Sequence, residues 1–193
     1  MDLAGVIRSS TLFDLIFFLG LFAAFVLGYI QGVIRRLLGI ASMVFAFLVA
    51  ANLRDPLGAF LAANWTQFPR EYSYLIGFGT LFVAFTVTFS IAIQGFYKRT
   101  PISARAPVID EILGGLLGIL QGLLLVAIGI MILDSFPFRT TAPFSGELGI
   151  VRSLADAVDG SAVHGLFHDV LIPGFLLLFG GLIPADVVRF YRS

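Results

Sequence analysis

The chain has 193 residues, 59% hydrophobic and 12% charged, with a formal net charge of +0 and a mean hydropathy of +1.00. Soluble domains carry about 25% charged residues, so this composition excludes an ordinary water-soluble globule and points to an all-α, polytopic membrane protein with the lipid bilayer as its solvent. The zero net charge argues against nucleic acid as a partner, and the absence of cysteine excludes disulfides and thiolate metal sites.

The first predicted helix runs from Phe13 to Val33, with Asp14 at its start and Gly28 and Gly32 four residues apart. A bilayer span needs roughly 20 apolar residues, and this run supplies them. It exceeds the ~7–15-residue apolar region of a signal peptide and lacks a small-x-small cleavage site, so it reads as a retained span. Arg35 and Arg36 then form a basic turn. The second helix is predicted over Leu37–Ala51, short for ~30 Å of hydrocarbon, with the arginines snorkelling at one end and Asn52 at the other. Gly39, Ser42, Ala46 and Ala50 share one of its faces. In the following loop, Asn52–Ser73, the run LGAFLAANW after Asp55-Pro56 reads as a short interfacial helix with Trp65 at headgroup level. Asn64-Trp65-Thr66 matches a glycosylation acceptor, which has meaning only in a eukaryotic lumen.

The third helix is predicted over Tyr74–Phe96, closed by Tyr97, Lys98 and Arg99. Thr86, Ser90 and Gln94 fall on one face and are candidates to line a polar path. The fourth, Asp110–Asp134, is preceded by Pro107, which suits a first helical turn. Its glycine ladder, Gly114, Gly118 and Gly122, lets a second helix axis approach closely. The ladder implies packing against a protein partner or a neighbouring subunit. Small faces on several helices fit a tight monomeric bundle, and one of them also suits a subunit interface or a polar path.

After Asp134 the pattern changes. Leu148, Val151, Leu154, Ala155 and Val158 recur at helical spacing within Ser145–Val158, opposite Arg152, Asp156 and Asp159. Gly160 is the expected stop and Ser161 a cap for a further short helix. The apolar run Leu171–Pro184 is too short for a comfortable span and is interrupted by Pro173, Gly174, Gly180 and Gly181. Such runs are more often re-entrant, interfacial or buried. The expected organisation is therefore a four-helix transmembrane domain at 1–134 and an amphipathic and apolar tail at 135–193, packed on the membrane or re-entering it.

Orientation follows from Lys and Arg in short loops. Arg35 and Arg36 lie in one turn, and Lys98, Arg99 and Arg105 lie in another on the same side. That side is expected to be cytoplasmic and both termini periplasmic, although Arg8 and Arg139 lie on the outer side. If Leu171–Pro184 spans instead, Arg189 and Arg192 are cytoplasmic.

Little in the chain suggests catalysis. Asp14, Asp110 and Asp134 sit near predicted helix ends, where water and headgroups solvate carboxylates. Asp110 and Glu111 suit the positive end of a helix dipole. Asp110 and Arg35 fall at one level, which suggests an ion pair between helices. Gln31 and Gln121 lie deeper and need hydrogen-bond partners. His164 and His168 are four apart beside Asp169, but no spacing fixes a third ligand, and they read as polar residues of an interfacial helix. HExxH, GxSxG and GxxxxGK[ST] patterns are absent. No catalytic, cofactor-binding or metal residue is assigned, no cofactor is expected, and the chain is not expected to be an enzyme.

Three elements together resemble the colicin V production protein (CvpA) family. They are Asp14 opening helix one, GYIQGVIRRLLG at Gly28–Gly39, and PVIDEILGGLLGILQGLLL at Pro107–Leu125. The resemblance covers the first four helices. It places Asp14, Gly32, Arg35, Asp110, Gly114, Gly118 and Gly122 at family motif positions, with Gly28 beside them on the helix-one packing face. The chain departs from the family pattern at Gln31, Glu111 and Gln121, where arginine is common. The resemblance implies a bacterial inner-membrane protein associated with colicin V production or export and with envelope integrity. Some relatives carry a periplasmic serine protease after the same helices, and none is expected here. Two function classes follow. One is an accessory or scaffold that self-associates or recruits an envelope partner. The other is an oligomeric channel- or transporter-like subunit with a polar path between helices.

Overall fold

The computed structural model describes residues 12–65, 70–96, 107–135, 149–161, 163–188 and 191. Among them there is no strand. Four long helices dominate: α1 (Leu12–Gln31), α2 (Val33–Asn64), α3 (Arg70–Phe96) and α4 (Pro107–Asp134). Each is long and apolar enough to cross a membrane, over Phe13–Gln31, Val33–Asn64, Tyr72–Ile93 and Val108–Asp134. The tail contains α5 (Gly149–Asp159), a π-helical turn at Leu166–Leu171 leading into α6 (Ile172–Phe179), a 3₁₀ turn at Gly180–Leu182, and α7 (Ala185–Val188).

Side-chain pairings fix the directions. Gly28 meets Gly114 while Ala24 meets Gly118, so α1 and α4 are antiparallel. Gly32 faces Asp110 and Gly39 faces Gln121, so α2 runs with α4. Gly58 packs on Tyr74 while Phe47 packs on Phe78, so α3 returns against α2. The result is an up-down-up-down bundle in which α1 lies on α4 and α3 on α2.

Two predicted boundaries are corrected. The turn after helix one is a single residue, Gly32, and Arg35 and Arg36 belong to the first turn of α2. The predicted interfacial helix is no separate element either. α2 continues through Asp55 and carries Pro56 inside it. Arg54 explains part of this continuity. It is buried with its guanidinium over the Phe78 ring, 5.8 Å from the centroid, and its Nε lies 3.4 Å from Asp55 Oδ1. Neighbouring helices make a proline tolerable within a membrane helix by re-satisfying its backbone.

The core is aromatic and aliphatic. Phe47, Phe78, Ile128, Met131, Phe167 and Ile172 are fully buried. Phe47 is central, with ring centroids 5.7 Å from Phe78 and 5.7 Å from Phe175. The outer faces expose Leu15, Leu19, Phe22, Val83, Ile91 and Leu116, which suits contact with lipid tails. Lipid is as apolar as leucine, so such a bundle is held by close packing and hydrogen bonds rather than by escape from water.

The tail shares this core. Phe167 packs edge-on against Phe17 of α1, Phe175 against Phe47 of α2, and Asn52 Nδ2 donates to Leu182 O at 3.0 Å. The segment therefore crosses the bundle from α1 to α2. Pro173 and Gly174 do not interrupt it, because the proline occupies the first turn of α6, where no intrahelical N–H is required. α5 buries Ala155 and Val158 and ends at Gly160, whose N–H bonds Asp156 O at 2.9 Å. Leu148 lies outside the described residues.

Candidate functional site

The connection between α1 and α2 starts with one glycine. Gly32 has φ 76 and ψ 173, a region essentially restricted to glycine. It reverses the chain within one residue and leaves the first amides of α2 without intrahelical partners. Asp110, from the first turn of α4, approaches so closely that a Cβ on Gly32 would lie 2.5 Å from its Oδ2. Its carboxylate accepts from Val33 N–H at 3.3 Å. Asp110 thus caps α2 across the bundle, with its charge at the positive end of that helix dipole. Among the described contacts Asp110 meets the Val33 amide, at the end of the bundle where an ion pair with Arg35 was expected.

The glycine ladder lies directly above this cap. Added Cβ atoms on Gly114 and Gly118 would meet the backbone of Gly28 and Ala24, and one on Gly122 would meet Leu21 and Ala24. The ladder is therefore the seam between α1 and α4 of one chain. The partner helix anticipated for it comes from the same molecule.

Beside the seam, α2, α3 and α4 leave a pocket of about 120 Å³ that is open on one side. Its polar lining consists of Gln31, Arg35, Arg36, Ser42, Ser90 and Gln121 among the described residues. Arg36 is 8% exposed. Its Nη1 donates to Gln121 Oε1 at 2.7 Å, while Nε and Nη2 are buried without a hydrogen-bond partner among the described residues. The Gln121 amide lies against Gly39, where a Cβ would sit 3.1 Å from Nε2. Ser42 Oγ donates to Leu38 O at 2.7 Å, which commits its proton to its own helix. Further along α3, Thr86 Oγ1 is buried without a partner among the described residues. The Gln94 side chain lies outside the described residues.

A second polar cluster ties the tail to α4. Asp134 is 1% exposed and accepts from Tyr191 Oη at 2.5 Å. His168 Nε2 lies 3.6 Å from Asp134 Oδ2, and the His168 ring stacks on His164 at 4.3 Å. His164 Nδ1 in turn lies 3.4 Å from Asp159 Oδ1. Each histidine thus faces its own carboxylate. Among the described residues no three His, Cys, Asp or Glu side chains group to hold a metal. Solvation of Asp14 and Asp134 at helix ends is corrected, because both are 1% exposed. Tyr191 and His168 of the tail cover Asp134 where water was expected.

The structure therefore gathers Gly28, Gly32, Asp110, Gly114, Gly118 and Gly122 into one α1–α2–α4 junction and sets Arg35 at the pocket beside it. Asp14 lies at the opposite end of α1. Sequence reasoning passed over Arg36 and its bond to Gln121. A signal was present: adjacent residues point about 100° apart on a helix, so both arginines cannot reach headgroups equally. Arg36 shares the inward face of Gly39, Met43 and Ala46.

An all-helical chain with four helices of spanning length, lipid-compatible outer faces and a buried guanidinium is a multi-pass membrane protein. Its sequence matches the family described as Colicin V production protein over residues 13–148, well over half of the chain. The chain belongs to that family. Comparison with curated proteins and with solved structures gives no match.

Proposed function

We propose that this protein is an accessory or scaffold of the bacterial inner membrane, serving production or export of colicin V-type bacteriocins and envelope integrity. In this reading it is not an enzyme. Its partners are the lipid bilayer and either a second copy or an envelope protein, and both termini are periplasmic. The observation that carries the reading is the aromatic core. Phe47, Phe78, Phe82 and Phe175 fill the bundle beyond the polar pocket, all 7% exposed or less. A route for a peptide or ion through a single chain has to displace them, which suits a protein that supports an export route built by others.

One observation favours the alternative of a channel- or transporter-like subunit: Ser90 lines the pocket together with Arg36. The two readings separate in one experiment. A strain lacking the chain should regain bacteriocin secretion when it is supplied, while the pure chain in proteoliposomes carries no ionic current above empty vesicles. In the same vesicles Ser90→Cys should react with a small soluble thiol reagent and Thr86→Cys should not. A sustained current, with labelling at both positions, would refute the scaffold reading.

A further inference from the structure

We propose that the pocket beside Arg36 is a binding site for a phosphate group. Arg36 is more than nine-tenths buried, yet among the described residues only its Nη1 is bonded, to Gln121. Nε and Nη2, the other edge of the guanidinium fork, are buried beside the pocket, and neither has a protein partner among the described residues. A charged group inside a membrane bundle is costly unless something meets it, and two adjacent N–H donors of arginine match the two oxygens of an oxyanion.

The surroundings select the sign of the ligand. Two arginines, Arg35 and Arg36, line the pocket, and among the described residues no carboxylate does. Asp110, at the same end of the bundle, is engaged by the Val33 amide. Ser90 and Gln121 also line the pocket and carry neutral donors. Ser42 is excluded as a donor because Leu38 O holds its proton. The volume of about 120 Å³ accommodates several waters or one small tetrahedral anion.

Position narrows the class to phosphate. Arg36 lies one helical turn into α2 from Gly32, at the level where a spanning helix meets phospholipid headgroups. A headgroup phosphate and free inorganic phosphate present the same oxygens to this fork, and experiment separates the two sources. The site is independent of whether the protein acts as scaffold or channel.

The test uses the full chain in uncharged maltoside micelles. Its unfolding temperature is followed against inorganic phosphate, against phosphatidylglycerol, and against chloride at matched ionic strength. A ligand that binds only the folded state raises that temperature saturably. The rise is expected with phosphatidylglycerol, with inorganic phosphate, or with both, and not with chloride. Phosphatidylglycerol alone marks a lipid site, and inorganic phosphate alone marks a soluble one. Arg36→Gln should abolish the response. Arg36→Lys, which keeps the charge but loses the fork, and Ser90→Ala, which removes one donor to a charged group, should each weaken binding about tenfold. If Arg36→Gln does not fold, these two variants carry the comparison. A flat response of the wild-type chain to both phosphate sources overturns the proposal, as does an unchanged response in Arg36→Lys and Ser90→Ala.

Discussion

Substituting alanine at Gly118 tests whether the α1–α4 seam holds the bundle together. An alanine Cβ there would lie 3.0 Å from the Ala24 carbonyl carbon, closer still to its oxygen, and 3.2 Å from Gly28 Cα, against an ordinary approach of 3.4 Å or more. These are backbone atoms of α1, so no side-chain rotation relieves the contact and the helix itself has to move. A separation of roughly 0.5–1 Å forfeits a quarter to a half of each dispersion contact it opens. The loss extends to the neighbouring Gly28–Gly114 contact, because the two helices are rigid. Overpacking of this kind costs about 1–3 kcal/mol, and the absence of any flexible neighbour places Gly118→Ala in the upper half of that range. Gly129, on the same helix, is the internal control. An added Cβ there meets nothing within 4 Å, and alanine is the better helix former by up to about 1 kcal/mol. Thermal unfolding of both variants in one detergent is the assay. Gly118→Ala should unfold well below wild type and Gly129→Ala at or slightly above it. Equal stability of the two variants would refute the reasoning.

At Gly32 the constraint is conformational as well as steric. Gly32→Ala should destabilise by about 3 kcal/mol, the upper end of the cost of a glycine-only backbone region, and should loosen the Asp110 cap on Val33. A thermal midpoint within error of wild type would show that the α1–α2 connection relaxes to another geometry. Orientation is tested by cysteine labelling in intact cells: Arg35→Cys and Lys98→Cys should be protected from an impermeant outside reagent, and labelling at position 98 would invert the topology.

The sequence by itself determined the class, the four spans and the glycine ladder, because each depends on a local quantity. Apolar length decides whether a helix suits hydrocarbon, and a four-residue glycine repeat is a property of one helix face. It also located the end of α5 at Gly160. Tertiary structure alone decided which surfaces meet. The ladder on α4 reads the same whether its partner is another subunit or α1, since both present a backbone. Only the reversal at Gly32 brings Ala24 and Gly28 onto it. Likewise Arg35-Arg36 and Asp55-Pro56 read as helix breaks because charge and proline are costly in an isolated membrane helix. In the folded chain Gln121 meets Arg36 and the Phe78 ring meets Arg54, so α2 continues through both from Val33 to Asn64. Burial of Asp134 beneath Tyr191 and His168 was equally out of reach of sequence. A carboxylate at a helix end is solvated by default, and covering it required a tail whose approach is set by contacts distant in the chain.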